Sequence, residues 1–400
     1  MCPRLNEDEE TLHGLPDYSR KNTMCCPLCD GHDLLPLFEV QNIPIFQNKV
    51  YPNVEAAKKA AVSNVSLFAC GRCDYIFNSS FDENIMKYDA SYQNEQAHSP
   101  YFQRYLDDLA NLLKDKGIAK NKVIEIGCGK GTFIKKLWDH GIQATGFDPA
   151  YEGDDQRIIK DYFSSKYSGL KADLIILRHT LEHIQNPLRF LHDIAEANKH
   201  HGLIFIEVPC FEWIVKQKAF WDIFYEHCNY FTGQALTGMF DEAELGLLFN
   251  TQYMYVLAEL KNLRDRAERT ATPIDLNGID FKKSMDAHKS FIAGCNNLIV
   301  WGAGAKGSAF LNYVDPLTEH VSFVVDINPR KQNQYVPKTA HKIVSPEILE
   351  EFTNGQILIM NSNYYSEILE ETRNSNFNIR TLGEGVGSKK KAGISPNELR

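Results

Sequence analysis

The chain of 400 residues has no apolar run that approaches the roughly 20 residues of a membrane-spanning helix. Its first segment, 1–20, is polar and acidic and lacks the apolar centre of a secretory signal peptide. We interpret this segment as a disordered tail. Together these absences predict a cytoplasmic protein that makes no contact with a membrane.

Positive net charge is lacking as well, because 43 Lys and Arg against 52 Asp and Glu give a formal charge of −9. Nucleic-acid binding rests on cations that neutralise phosphates, so no nucleic-acid partner is expected. Cysteine is sparse, with ten residues, whereas a small secreted fold held by disulfides has a dense cysteine framework. The hydrophobic fraction of 43% supports two or three domains with cores of their own, in a monomer or a homodimer.

Four of the ten cysteines form two C-x-x-C pairs, which are Cys26 with Cys29 and Cys70 with Cys73. Each pair turns two thiolates toward one point, and two pairs complete a tetrahedral zinc site with four thiolate ligands. Cys25 adjoins the first pair and could replace Cys26 as a ligand. No open coordination position is apparent, so the sequence predicts a structural zinc in a small domain over 21–85.

The most informative stretch is a β-branched run that enters a turn with three glycines, Val123-Ile124-Glu125-Ile126-Gly127-Cys128-Gly129-Lys130-Gly131. It predicts a strand, a tight turn and a helix, with glycine where φ is positive or a ligand approaches the backbone. About 20 residues further on, a second predicted strand ends in Asp148, which can accept hydrogen bonds from both hydroxyls of a ribose. Glu125 would repel a pyrophosphate and suits a cationic ligand with an amino-acid end.

This E-x-G-x-G-x-G pattern resembles motif I of the class I S-adenosylmethionine (SAM) methyltransferases, which implies SAM as the cofactor. The predicted SAM-binding residues are Glu125, Gly127, Gly129, Gly131, Asp148, Tyr162, Phe163, Arg178 and His179. Tyr162 and Phe163 belong to a loop that we expect near the adenine. Arg178 and His179 follow the fourth predicted strand, beside the glycine turn.

Alternating strand and helix patterns predict an α/β fold with a doubly wound parallel sheet, as in the class I SAM methyltransferases. The predicted strands cover 122–127, 143–147, 156–159, 172–178 and 202–208, with a final pair near 247–260. A helix over Leu106–Lys116 precedes them, and a helix followed by a linker is expected after Glu259. The predicted units are a tail (1–20), a zinc-binding domain (21–85), a methyltransferase domain (86–260), a helical linker (261–290) and a Rossmann-like α/β domain (291–400).

A second strand, glycine turn and helix are predicted over 298–308, where Gly302, Gly304 and Gly307 follow an apolar run. Asp326 follows the next predicted strand, so the arrangement repeats that of the central domain. A lone G-x-G-x-x-G is weak evidence for a bound dinucleotide, although Lys306 adds a cation. Contact with a nucleotide-linked substrate, a redox dinucleotide and a purely structural repeat are the open alternatives.

Two polar sites stand where predicted strands end, which is the edge at which α/β sheets bind ligands. His183 follows the fourth strand in a Leu-Glu-His sequence. Glu226 and His227 follow the fifth strand, within a run rich in aromatic residues that we call the aromatic segment (219–231). A carboxylate beside an imidazole can tune it as a base, and aromatic walls exclude water. An aromatic core with a structural histidine is the alternative.

Nearly the whole chain resembles the sugar C-methyltransferases that act on nucleotide-activated 4-keto deoxysugars. The shared features are the two cysteine pairs, the E-x-G-x-G-x-G turn, the His after strand four, a Y-H-E-H-x-x-Y-F-like segment and a C-terminal glycine motif followed by D-x-N-P. The residues to which the resemblance assigns catalytic roles are Glu226, His227, His183 and Tyr92. Tyr88 is the second candidate for the tyrosine. The chain departs from the pattern at Phe224 and Tyr225, which stand where the family has Tyr and His.

The mechanism that the resemblance implies is base-assisted enolisation followed by methyl transfer. His227, assisted by Glu226, removes a proton from the carbon beside the ketone, and Tyr92 and His183 donate to the enolate oxygen. The Tyr225 hydroxyl is a candidate substitute for the missing tyrosine, and no metal is needed for this chemistry. The two departures keep an alternative open, which is O- or N-methylation of another activated sugar or natural product. A zinc-ribbon binding protein with a degenerate methyltransferase fold is disfavoured, because the motif residues are present.

Overall fold

The computed structural model describes residues 24–89, 91–119, 122–269, 273–276, 278–352, 354–373 and 376–383. The predicted tail at 1–20 lies outside these residues. Three β-sheets of four, seven and five strands organise the described chain. Within the described ranges, no helix combines the length and the apolar character that crossing a bilayer requires.

The first sheet is antiparallel and gathers the two cysteine pairs. Its first elements are β1 (Leu34–Pro44), helix α1 (Val54–Lys58), β2 (Val62–Cys70) and β3 (Ile76–Asn78). One cysteine pair precedes β1, and in the other pair Cys70 ends β2 and Cys73 lies in the turn before β3. Because Leu34 pairs with Cys70, the register brings both cysteine pairs to the same end of the sheet.

The second sheet carries the first glycine turn (127–131). The elements of this part of the chain are α2 (Pro100–Asp115), β4 (Val123–Ile126), α3 (Thr132–Asp139), β5 (Ala144–Phe147), β6 (Ile158–Ile159), β7 (Leu174–Arg178), α4 (Pro187–Ala197), β8 (Leu203–Pro209), α5 (Phe211–Gln217), β9 (Asn229–Tyr230), α6 (Gly233–Thr237), β10 (Ala243–Leu248) and β11 (Tyr253–Glu259). The predicted strands are confirmed. Helix α2 begins earlier than predicted, because the Ser99 hydroxyl caps it by accepting the Phe102 N–H at 3.1 Å and Pro100 stands at its first position.

The strand order of the second sheet is β10-β11-β8-β7-β4-β5-β6, and β11 runs against the other strands. Counted within this sheet, the order is 3-2-1-4-5-7-6, which confirms the class I SAM methyltransferase fold. Strand β4 lies between β5 and β7, so the chain reverses its direction of progress across the sheet at β4. A crevice at the carboxyl ends of the strands is expected at that place.

The third sheet is parallel and carries the second glycine turn (302–307). Its elements are α7 (Phe281–Ala293), β12 (Leu298–Trp301), α8 (Ala305–Val314), β13 (Val321–Val325), β14 (Ile343–Val344), β15 (Gly355–Ile359), α9 (Tyr365–Glu371) and β16 (Phe377–Thr381). The strand order is β14-β13-β12-β15-β16. The predicted Rossmann-like strand, turn and helix are therefore present.

The chain after β11 differs from its prediction. A single short 3-10 helix, Leu260–Asn262, stands where a longer helix is expected, and the next described helix is α7. Charged side chains of this region reach other parts of the molecule instead of lining a helix face. Arg269, for example, pairs with the buried Asp74 at 2.8 Å. Such ion pairs join distant parts of the chain, so the local spacing of apolar residues does not predict them.

The aromatic segment joins the three sheets. Its strand β9 pairs with β3 of the first sheet, although β9 belongs to the predicted methyltransferase domain, so the domain boundaries stay predictions. The Phe220 ring lies 6.1 Å from that of Phe310 and 5.7 Å from that of Tyr313, both on α8. The Tyr313 hydroxyl donates to the Ile223 carbonyl oxygen at 2.6 Å. The segment that holds the Glu–His pair is thereby fixed from both sides.

Candidate active site

One cleft of about 390 Å³ collects most of the predicted site residues. It opens at the carboxyl ends of the strands of the second sheet and is closed on its far side by the third sheet. Both glycine turns border the cleft, so the two turns face each other. The predicted site residues that line it are Tyr92, Glu125, Gly127, Gly129, Arg178, His179, His183, Glu226 and His227.

The first glycine turn has a backbone shape that a residue other than glycine would disturb. Gly127 has a φ of +75°, and a Cβ atom there would lie 2.4 Å from the Thr180 hydroxyl oxygen. Gly129 has a φ of +54°, and its N–H donates to the Asp148 carboxylate at 2.8 Å. Gly131 has a φ of +79° and stands at the start of α3. The turn therefore presents its backbone to the cleft, with Asp148 fixed at its side.

Arg178 and His179 belong to a buried charge network centred on Glu207 at the end of β8. Arg178 Nε donates to Glu207 Oε2 at 2.8 Å, and the Tyr105 hydroxyl donates to Glu207 Oε1 at 2.6 Å. His179 Nε2 lies 3.0 Å from Glu207 Oε1, as an ion pair without hydrogen-bond alignment. Arg178 also lies 3.9 Å from Glu125. The network thus forms the floor of the cleft beneath the glycine turn.

Charges within this network shift several pKa values. Burial lowers the pKa of His179, but the charges of Glu207 and Glu182 outweigh burial and raise it to about 9. Burial raises the pKa of Glu207, but Arg178 and His179 lower it to about 2. Burial raises the pKa of Glu125 to about 7 in spite of Arg178. At neutral pH the floor therefore contains a protonated histidine and an ionised Glu207.

Tyr162 and Phe163 do not line the cleft, and their place near the adenine stays a prediction. The Tyr162 side chain is 71% exposed. The Phe163 ring packs edge-on against Phe147 of β5 at 5.2 Å, where it covers the sheet. Packing against a neighbouring strand therefore directs this loop away from the cleft.

His183 and His227 form a pair of imidazoles in the cleft, with ring centres 4.8 Å apart at 81°. His183 Nδ1 lies 2.9 Å from the Glu226 carbonyl oxygen. Because a carbonyl oxygen only accepts, Nδ1 carries the proton and donates it to this oxygen. The His227 ring lies 4.2 Å from that of Phe224. Burial, with the nearby charges of His183, His179 and Lys306, lowers the pKa of His227 well below its usual value, so the ring is neutral.

Glu226 is placed differently from the sequence-based expectation. Its carboxylate accepts the Gln47 N–H at 2.7 Å and lies beside the Tyr92 hydroxyl. Between described residues, no hydrogen bond joins this carboxylate to the His227 ring. The two residues are neighbours in the chain but turn their side chains toward different partners, because Gln47 of the first sheet holds the carboxylate.

Tyr92 and Tyr88 occupy different positions. Tyr92 lines the cleft, and burial together with the charge of Glu226 raises the pKa of its hydroxyl well above the usual value. Tyr88 packs edge-on against the Tyr92 ring at 4.9 Å and is 44% exposed. Of the two candidates, Tyr92 is therefore the one that lines the cleft.

Tyr225 does not border the cleft, contrary to the expectation that its hydroxyl replaces a missing one. The side chain is fully buried, and its hydroxyl accepts the Asp82 N–H at 2.9 Å. Its ring packs against Phe81 at 5.4 Å. Phe224, the preceding residue, faces the cleft instead, so an apolar ring lies beside His227.

The second glycine turn repeats the hydrogen bonding of the first. Asp326 accepts the N–H groups of Ala303 and Asn328, each at 2.8 Å. In the first turn, Asp148 likewise accepts the N–H groups of Gly129 and Ala150, each at 2.8 Å. The two halves of the cleft are therefore built alike.

Cations from the third sheet reach the shared cleft. Lys306 pairs with Asp222 of the aromatic segment, and its ammonium lies 4.7 Å from the centre of the Trp213 ring. Lys331 is buried and donates to the Ala303 carbonyl oxygen at 2.9 Å.

Two family models match the chain. A methyltransferase domain covers residues 93–248, and a C-methyltransferase C-terminal domain covers residues 283–378. The chain is a SAM-dependent methyltransferase. Its domain composition is that of a C-methyltransferase family, as the sequence resemblance implied.

The methyltransferase is also similar to individual proteins. It is 24% identical over 289 residues to the C-methyltransferase NovU of Streptomyces niveus, across 63% of this chain and 69% of that protein. A SAM-dependent methyltransferase structure from Archaeoglobus fulgidus is 15% identical and covers 40% of this chain and all of its own, with a TM-score of 0.29. One from Clostridium acetobutylicum is 11% identical and covers 41% and 93%, with a TM-score of 0.31. The strand order, and not these scores, defines the fold.

The methyltransferase has a four-sulfur cluster outside the lining of the cleft, made by Cys26, Cys29, Cys70 and Cys73. The Sγ atoms of Cys26 and Cys73 are 3.6 Å apart, and those of Cys29 and Cys70 are 3.5 Å apart. A tetrahedral zinc with Zn–S bonds of about 2.3 Å sets its sulfurs about 3.8 Å apart, so the four thiolates fit this ion. Cys26, and not Cys25, belongs to the cluster.

Sequence reasoning missed several groups of this methyltransferase. Glu207 is the central acid of the floor, and its signal was a carboxylate inside an otherwise apolar strand. Glu182 is a buried acid that borders the cleft next to His183. Gln47 acts through its backbone N–H, and a backbone donor has no sequence signal.

Proposed function

We propose that this methyltransferase transfers the methyl group of SAM to a carbon beside the ketone of a nucleotide-activated 4-keto deoxysugar. The observation that carries the proposal is His227, a neutral imidazole in the cleft that the first glycine turn borders. Among described residues its ring makes no hydrogen bond, so a ring nitrogen is available to an acceptor substrate. A buried neutral imidazole can act as a general base.

In the proposed reaction, His227 takes the proton from the carbon beside the ketone. The electron pair left on that carbon forms a bond to the SAM methyl group, and the bond from methyl to sulfur breaks with its pair on sulfur. The enolate oxygen needs a donor while charge develops. Tyr92 supplies it, because its raised pKa keeps the hydroxyl protonated. His183 already donates its Nδ1–H to the Glu226 carbonyl oxygen.

The activated part of the substrate is proposed to lie toward the second glycine turn. Lys130, Lys306 and Lys331 line the cleft, and the first turn of α8 offers unpaired N–H groups. These positive groups suit a diphosphate, although the whole chain is acidic. We therefore favour a nucleotide-linked substrate over a redox dinucleotide, since methyl transfer needs no hydride.

The test is methyl transfer to a nucleotide-linked 4-keto-6-deoxysugar in deuterated water, followed by mass spectrometry and NMR. Wild type should yield a new C-methyl group and exchange deuterium into the carbon beside the ketone. His227→Ala should lower both rates by at least about 100-fold, the usual contribution of a general base. His201→Ala, at an exposed histidine near the surface, serves as the control and should match wild type.

O- or N-methylation is the second candidate function, and Phe224 is the observation that favours it. An apolar ring stands where the resembling family has a tyrosine, and Tyr225 turns its hydroxyl away from the cleft. Methyl transfer without deuterium exchange, in protein that binds SAM, would support this second function and contradict C-methylation.

A structural zinc bound by the four-sulfur cluster is also proposed. Its support is the spacing of the sulfurs and their burial at one end of the first sheet. The zinc would tie β1 to the turn between β2 and β3, so that the first sheet holds Gln47 against Glu226.

A further inference from the structure

Glu182 is a carboxylate in an unusual place. It lies in a short 3-10 helix, Leu181–His183, that follows β7, and it is 1% exposed. A buried carboxylate is costly unless hydrogen bonds or opposite charges compensate it. Its Oε1 lies 3.3 Å from His179 Nδ1. Its Oε2 is buried and has no hydrogen-bond partner among the described residues.

The incompletely paired carboxylate faces the His pair. A carboxylate oxygen of Glu182 and ring nitrogens of His183 and His227 all lie within 4.8 Å of one another. His183 already donates to the Glu226 carbonyl oxygen. The His227 ring has no hydrogen bond among described residues, and Glu182 has one oxygen paired with His179 and the other unpaired.

The neighbouring acid has one oxygen engaged elsewhere. Glu226 Oε2 accepts the Gln47 N–H, and its carboxylate lies beside Tyr92, while Glu226 Oε1 is buried without a partner among described residues. The group of ligand atoms within 4.8 Å of one another nevertheless contains Glu182 with His183 and His227, and not Glu226.

We propose that Glu182, and not Glu226, is the carboxylate that stabilises the protonated form of His227 during turnover. This inference rests on the proposed function. When the proton leaves the substrate carbon, His227 becomes an imidazolium, and the electron pair goes to the methyl group of SAM as the bond to sulfur breaks. The Glu182 carboxylate offsets the new charge in a buried site. Glu182 is thus a positioning residue that acts through His227.

The other titratable groups around His183 and His227 do not offset a positive charge on His227. His179, His183 and Lys306 face His227, and a positive charge on any of them disfavours the imidazolium. Tyr88 and Cys228 are the further titratable groups near Glu182, and both are neutral at pH 7 because burial raises their pKa values. Glu182 is therefore the acid placed to balance a proton on His227.

The first arm of the test needs no substrate. The ring signals of His227 are titrated by NMR in wild type, Glu182→Gln and Glu226→Gln, with His227→Ala to assign them. Loss of the facing carboxylate in Glu182→Gln should lower the pKa of His227 by at least about one unit, which is the usual effect of removing an opposite charge within about 5 Å. Glu226→Gln should move it less than about 0.3 units. Equal shifts, or no shift in Glu182→Gln, would overturn the inference.

The second arm measures turnover. In Glu182→Gln, kcat and deuterium exchange should fall at least about 10-fold while KM for the sugar nucleotide and SAM binding stay unchanged, and Glu182→Asp should recover part of the rate. Unchanged SAM binding also shows that the variant is folded. If wild type binds a second metal ion per chain and Glu182→Gln does not, the proton role is overturned, because Glu182, His183 and His227 would then bind a cation. If His227 titrates as expected but no keto sugar is methylated, the proposed function fails and the Glu182 assignment stands.

Discussion

At the scale of single residues, the floor of the cleft is held by opposite charges in a buried place. Glu207 accepts hydrogen bonds from Arg178 and Tyr105 and lies against His179. Removing one member would leave the others buried without compensation, which is more costly than a missing surface ion pair. The network should therefore link the stability of this methyltransferase to pH.

The pH dependence follows from His179 and Glu207. The folded-state pKa of His179 is about 9, above its usual 6.5, so its contribution is complete below pH 6.5 and is lost as pH rises through 9. Glu207, at about 2 instead of 4.5, contributes above pH 4.5 and loses its contribution as pH falls through 2. Between pH 7 and 10 we expect wild type to lose at most about 3 kcal/mol of unfolding free energy through His179.

Urea unfolding at pH 7, 8.5 and 10 measures this loss. His179→Gln should be less stable at pH 7 and show a flatter dependence up to pH 10. His201→Gln, at an exposed histidine, should follow wild type. Parallel curves for wild type and His179→Gln would contradict the pKa assigned to His179.

At the scale of elements, the cysteine pairs bring two distant turns to one end of the first sheet. The core of this region is shared with the aromatic segment through the pairing of β3 and β9. A zinc ion at the four sulfurs would stabilise the first sheet, and through it the position of Gln47. Its removal should therefore affect folding before it affects chemistry.

Metal analysis of protein made with zinc supplied should find about one zinc per chain, and Cys73→Ser should lose it. The melting temperature of Cys73→Ser should fall by about 10 °C or more, since structural zinc contributes directly to folding. Cys295→Ser, at a half-buried cysteine outside the cluster, should keep both the metal and the melting temperature. Protein that contains no zinc, or a Cys73→Ser variant that keeps it, would contradict a structural zinc.

At the scale of the whole molecule, the cleft exists because the third sheet docks against the second. Lys306 of the second glycine turn forms the ion pair with Asp222 across this contact, with side chains 19% and 12% exposed. Reciprocal amide hydrogen bonds between Gln252 and Asn361, at 2.8 and 3.1 Å, join the same two parts. These contacts hold the second glycine turn at a fixed position relative to His227.

Breaking this ion pair should affect binding of the sugar nucleotide more than binding of SAM. Lys306→Met should raise KM for the sugar nucleotide at least about 10-fold, while the Kd for SAM changes less than about 2-fold. Lys306→Met and Asp222→Asn should couple by about 1 kcal/mol in unfolding free energy, as partly buried contacting pairs do. Lys289→Met, which removes a surface ion pair with Asp286, is the matched control. Additive effects of the two substitutions would show that the pair does not act as a unit.

Much of the architecture was predictable because it depends on local pattern. Glycines at 127 and 129 predict a turn with positive φ, and β-branched runs predict buried parallel strands. The four sulfurs were predictable from the two C-x-x-C pairs. Helix α2 begins earlier than its apolar spacing predicts, because Ser99 caps it and Pro100 opens it. After β11 the described chain forms only a short 3-10 helix before α7, and its charged side chains make tertiary ion pairs.

By itself, the sequence determined the two glycine turns, the order of the strands, the cysteine cluster and the presence of His183 and His227 in the connections that follow β7 and β8. Only the tertiary structure decided which way neighbouring side chains point. Tyr225 turns to the Asp82 N–H, the Glu226 carboxylate turns to the Gln47 N–H, and Glu182 faces His227. The reason is physical. Turns and strands follow from the conformational preferences of nearby residues, whereas the direction of a buried polar group is set by the partners that satisfy it, and here those partners come from distant parts of the chain.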